Sequence, residues 1–86
     1  MYIYCNFELF DAHQTIYLID EKGKKTKLDC VNAEYFPEAI IKHCEANKTN
    51  QIKLSGSKSF LNAIAEDIIA YAKLNYSNRD YEVEVI

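Results

Sequence analysis

Two hydrophobic periods divide this chain, and the point where one replaces the other limits its folding more than any other feature. Up to Val31 apolar residues tend to recur at every second position, the repeat of a half-buried strand. From Phe36 they recur at every third or fourth position, the repeat of a helix with one buried face. Alternation returns from Gln51 to Ser55 and from Tyr81 to Ile86, after each of two helical stretches.

The first strand is expected over Tyr2 to Glu8, with Ile3, Cys5 and Phe7 on one side and Tyr2, Tyr4, Asn6 and Glu8 on the other. Asp11-Ala12-His13 reads as a reversal, and Thr15 to Asp20, rich in β-branched and aromatic residues, as the second strand. The polar run Asp20 to Lys24 carries Gly23 where a hairpin wants positive φ. Lys25 to Val31 then forms a third strand, with Leu28 and Cys30 facing the core.

Pro37 suits the first turn of a helix, where its missing N–H costs nothing, and Glu34 and Glu38 suit the positive end of its dipole. Phe36, Ala39, Ile40 and Cys44 share a stripe on this helix, and Asn47-Lys48-Thr49-Asn50 ends it. After the strand Gln51 to Ser55, the break Ser55-Gly56-Ser57 opens the longest helix, with Ser57 as its N-cap. Its core stripe is Leu61, Ile64, Ala65, Ile68 and Ala72, flanked by Phe60, Tyr71 and Leu74. Tyr76 to Asp80 is a turn into a last strand with Val83 and Val85 inward and Glu82 and Glu84 outward.

The order β-β-β-α-β-α-β makes residues 1–86 a single small α/β domain on the border of α+β, with no internal repeat or linker. A meander followed by two helix crossovers resembles the ribonuclease H-like core, a mixed five-stranded sheet in order 3-2-1-4-5 with strand 2 antiparallel. Active nucleases of that kind carry carboxylates on the first strand, in the first helix and at the end of the fourth strand, where two metal ions clamp the scissile phosphate. The matching places hold Tyr4, Cys5 and Asn6, then Glu34 or Glu38, then Ser55. Two of the three acids are missing. The resemblance also extends to actin-like ATPases, which need a glycine-rich hairpin between strands one and two, but Phe7 to Thr15 contains no glycine.

Charge narrows the function further. A net charge of -3 and a pI near 5.3 give no general attraction to nucleic acid, and Arg79 is the only arginine. Lys22, Lys24, Lys25 and Lys27 crowd the hairpin, but lysines on an outer strand serve to discourage edge pairing. No signal peptide or membrane span is read, so the chain is expected to be soluble and cytoplasmic, and the sequons at Asn47 and Asn75 then carry no sugar. The odd set Cys5, Cys30 and Cys44 lacks C-x-x-C spacing, so each reads as a small buried apolar residue. Abundant Lys, Asn, Ile and Tyr fits an AT-rich genome, as in compact proteins of bacteria and their phages.

Ser55, Gly56, Ser57 and Lys58 form the one candidate ligand site, because backbone N–H groups at a helix N-terminus attract anions and Gly56 permits close approach. The Walker spacing is absent, and a glycine between strand and helix also serves geometry alone. His43 and Cys44 diverge on a helix, and Glu66-Asp67 reads as a solvated face, so neither a metal site nor a cofactor is expected.

If both helices pack on one side of the sheet, the other side carries Tyr2, Tyr4, Lys25, Lys27, Asp29, Lys53, Glu82 and Glu84, with Tyr17 or its neighbours. Tyrosines ringed by charge resemble the anatomy of a protein interface. The expected function is therefore a non-enzymatic binding or regulatory protein whose partner is another protein or a second copy of the chain. The acidic residues Asp67, Asp80, Glu82 and Glu84 also allow a basic partner. A phosphate binder using Ser55 to Lys58 and a degenerate nuclease using Glu8, Asp11 and Glu34 are the alternatives.

Overall fold

The computed structural model describes residues 1–7, 13–28, 31–32 and 35–86, with 13, 14, 31 and 32 described as backbone only. Glu8, Asp11, Asp29, Cys30 and Glu34 lie outside the described residues, as does the expected reversal before His13.

Strand β1 (Tyr2–Asn6) is central, and its alternation is the reason: Ile3 and Cys5 are fully buried while Tyr2, Tyr4 and Asn6 are half-buried on the opposite side. β2 (His13–Ile19) runs antiparallel beside it, with Cys5 opposite Ile16 and Tyr4 opposite Tyr17. β3 (Lys25–Lys27) and β4 (Val31–Asn32) both pair antiparallel with β2. β5 (Gln51–Ser55) lies parallel to β1, and β6 (Glu82–Val85) parallel to β5.

The path across the sheet is β3-β2-β1-β5-β6, which with β3 and β4 taken as one third strand is the expected order 3-2-1-4-5, the second strand antiparallel. Two details differ from the sequence reading. His13 belongs to β2 rather than to a turn. The third strand is divided, because the β3 ladder pairs Tyr17 with Lys27 whereas the β4 ladder pairs Gln14 with Val31, one residue out of step.

The β2–β3 turn is held by Asp20, whose carboxylate accepts the backbone N–H groups of Lys22 and Lys24, each at 2.9 Å. Gly23 supplies its positive φ of 82°.

Helix α1 (Phe36–Ala46) takes Pro37 in its first turn and buries Phe36, Ile40, Ile41 and Cys44; Ala39 is half-buried against the core as its stripe predicted, and Ile41 is buried beyond that stripe. It stops where Lys48 turns to φ 53° and the Asn47 side chain donates to the His43 carbonyl at 2.8 Å. Helix α2 (Lys58–Asn75) buries Leu61, Ile64, Ile68 and Ala72. Ser57 is its N-cap residue, but the hydroxyl lies 3.4 Å from that of Ser59 and makes no capping bond. Leu74, expected to flank the core stripe, is 84% exposed.

The helices pack on each other and on the same side of the sheet. Both crossovers step in one direction across the sheet, from β4 to β5 and then from β5 to β6, and the general right-handedness of such connections then puts both helices on one side. Phe7 closes the core beyond β1, edge-on to Phe36 at 5.0 Å and to Phe60 at 5.7 Å. Truncating such a side chain costs about 3–5 kcal/mol, a large part of a small domain's stability. No helix among the described residues is long and apolar enough to cross a membrane.

Candidate functional site

Directly paired residues of neighbouring strands point the same way, so the register fixes what the helix-free side of the sheet presents. One row runs Lys27, Tyr17, Tyr4, Lys53 and Glu84 from edge to edge. The next contains Lys25, Ile19 and Tyr2, with Gln51 and Glu82 toward the other edge. Tyr2, Tyr4, Tyr17, Lys53, Glu82 and Glu84, all singled out in the sequence, therefore come together on one face.

The centre of this face is ordered by side-chain contacts. Tyr4 and Tyr17 stack with ring centres 6.4 Å apart and planes inclined by 18°. The Lys25 ammonium lies 5.8 Å from the centre of each ring, and that of Lys53 lies 4.3 Å over Tyr2. Such contacts contribute about 0.5–1 kcal/mol each at an exposed site, and they fix the rings rather than the fold. Ile19 is only 4% exposed although it lies outside the main core, on this tyrosine side of the sheet. Across the face, Lys53 approaches Glu84 at 3.9 Å and the Gln51 side-chain amide donates to Glu82 at 2.6 Å.

Ser55 joins this face. Its hydroxyl is hydrogen-bonded to that of Tyr4 at 2.7 Å and is not turned toward the N-terminus of α2. The parity of Gln51, Lys53 and Ser55 along β5 carries that information, since alternate residues of a strand share a side. The same parity adds Gln51 to the face, while Ile19 follows from its pairing with Tyr2. The sequence reading had assigned Ser55 to the ligand site and had singled out neither Gln51 nor Ile19.

Gly56 has a geometric role. The Phe7 N–H donates to the Ser55 carbonyl at 2.8 Å, which brings the turn against the end of β1. A Cβ on Gly56 would stand 3.0 Å from both the carbonyl carbon and the oxygen of Phe7, and its φ of 142° also favours glycine. Ser57 and Lys58 are exposed at the start of α2. The four residues thus serve three surroundings: a tyrosine, a neighbouring backbone and solvent.

Elsewhere, Cys5 and Cys44 are fully buried, and desolvation pushes both thiols up to about 12, away from nucleophilic reactivity. Tyr81 donates its hydroxyl to Glu45, which also lies 3.6 Å from the Arg79 guanidinium. Desolvation first, and that hydrogen bond second, raise the Tyr81 phenol above its usual range. This cluster ties the turn before β6 to α1. Glu38 pairs with Lys42 at 3.1 Å on the α1 surface. No group of three His, Cys, Asp or Glu side chains among the described residues is placed to hold a metal ion.

A groove of about 630 Å³ lies on the helix side, lined by Tyr35, Phe36, Phe60, Tyr71 and Leu74 among others.

The molecule so described is a two-layer α/β domain with an aromatic, charged sheet face. Comparison with protein-family models, curated proteins and solved structures finds no match to the chain.

Proposed function

We propose that this chain is a non-enzymatic binding module that recognises another protein through the open face of its sheet. The observation that supports this reading most is the stack of Tyr4 on Tyr17, braced by Lys25 and by the Ser55 hydroxyl. A large amphipathic surface already held in place loses little conformational freedom on binding, which is what an aromatic anchor requires. Both signs of charge flank it, a pattern suited to a protein surface rather than to a polyanion.

The ribonuclease H-like element order enters the same reading as a scaffold without its catalytic acids. At the carboxyl ends of β1 and β5, Asn6 is paired with Ser55, two neutral residues where that chemistry calls for carboxylates.

Affinity capture from the native host, with variants as controls, tests the proposal. Tyr17→Glu and Lys53→Glu should each lose the captured partner, and Asp67→Lys on the helix side should keep it. The opposite pattern would move the contact to the helices and overturn the reading. A nucleotide that raises the melting temperature of the wild type but not of Lys58→Glu would favour the phosphate-binding alternative.

A further inference from the structure

We infer that the occupant of the open face is a second copy of the chain, stacked face to face about a two-fold axis parallel to β1, so that Lys25 and Lys27 of each copy meet Glu82 and Glu84 of the other. This rests on the reading of that face as a protein-binding surface and names its partner.

The argument is one of placement. β1 lies at the middle of the five-strand path, with the β3 lysines two strands to one side and the β6 glutamates two strands to the other. At about 4.8 Å per strand the lysine and glutamate edges stand roughly 19 Å apart, with Tyr2 and Tyr4 midway. Rotation about an axis along β1 exchanges left and right but leaves position along the strands unchanged. It sets the lysine edge of one copy over the glutamate edge of the other, twice, as a closed two-fold contact requires.

The register matches in detail. Lys27 and Glu84 share one row, and Lys25 and Glu82 the adjacent one, so each lysine meets the glutamate of its own row. Lys53, one strand from the centre, comes opposite Tyr17, one strand to the other side. Tyr2 and Tyr4 meet their own copies. An axis perpendicular to the strands would instead set lysines on lysines and glutamates on glutamates, so charge selects one orientation.

Two sheets so stacked lie about 10 Å apart with their strands nearly aligned. Five short strands offer less than the roughly 800 Å² per partner of a standard interface, which suits a reversible dimer rather than an obligate one.

Sedimentation velocity at micromolar to millimolar concentration, with circular dichroism to confirm folding, tests this through charge exchange at exposed positions. Lys25→Glu/Lys27→Glu and Glu82→Lys/Glu84→Lys should each weaken self-association by more than about tenfold. Mixing the two variants should restore a dimer, and so should a chain carrying all four substitutions. Self-association that survives both double variants, or no recovery on combining them, would overturn the inference.

A wild-type chain that stays monomeric throughout would also overturn it, yet would spare the broader reading if Tyr17→Glu still abolished capture of a different protein. Loss of both results would remove the broader reading as well.

Discussion

Gly56 shows how far one residue can be understood from its neighbours. In the sequence its position between strand and helix admitted anion binding but favoured geometry, because a tight strand-to-helix turn needs a residue without a side chain whether or not a ligand is bound. The 3.0 Å approach of a would-be Cβ to the Phe7 backbone decides that the geometric need exists in its own right. Gly56→Ala should therefore lower stability by about 1–3 kcal/mol in urea denaturation, with or without any anion present. The buried thiols carry a second expectation at this scale. Cys5 and Cys44 keep their protons up to about 12 in the folded chain against 9.0 for a free thiol. Above pH 9 the unfolded state holds fewer protons than the folded one, so stability intact below that pH declines until the folded thiols ionise near pH 12. The loss is on the order of 1 kcal/mol per pH unit for each thiol, measurable as a falling melting temperature. At neutral pH iodoacetamide should label Cys5 and Cys44 only as fast as the chain unfolds, which peptide mapping by mass spectrometry checks.

Elements were legible in proportion to how strictly their period determines position. Alternation in β1 and β6 assigned Ile3, Cys5, Val83 and Val85 to one side and Tyr2, Tyr4, Glu82 and Glu84 to the other, because a strand has only two sides. A helix offers a broader choice, and there the reading was looser: it left out Ile41, which is fully buried, and Leu74, expected beside the core stripe, lies exposed at the rim of the groove between the helices. The division of the third strand and the turn of the Ser57 hydroxyl toward Ser59 instead of the helix backbone depend on pairing and rotamer, which hydrophobic period does not reveal. The Tyr81–Glu45–Arg79 cluster was equally hidden, since its members come from α1 and from the turn and residue before β6. Tyr81→Phe should remove the hydrogen bond and cost about 1 kcal/mol by thermal denaturation, while faster amide exchange appears along β6 before the rest of the sheet.

At the scale of the whole molecule, the candidate face was readable residue by residue, but its existence depended on where the helices went. Both lie on one side because both crossovers step the same way across the sheet, a property of topology that no single segment reveals. The lysine and glutamate edges are exposed, so the proposed self-association should weaken as sodium chloride is raised well above physiological strength, which light scattering at fixed protein concentration checks. Tyrosine stacking should leave a residual association at high salt. The central place of β1 bears also on the order in which the domain can be built. Tyr4 reaches the Ser55 hydroxyl 51 positions along the chain. During synthesis the middle of the sheet emerges before the strand that completes it, and one edge of β1 waits until β5 has left the ribosome. The hairpin of β1 and β2 can form early, but the buried core needs both helices. Folding of this domain is thus a late and collective event, and a stalled chain ending before Gln51 would display an unpaired hydrophobic strand to whatever chaperone or protease surrounds it.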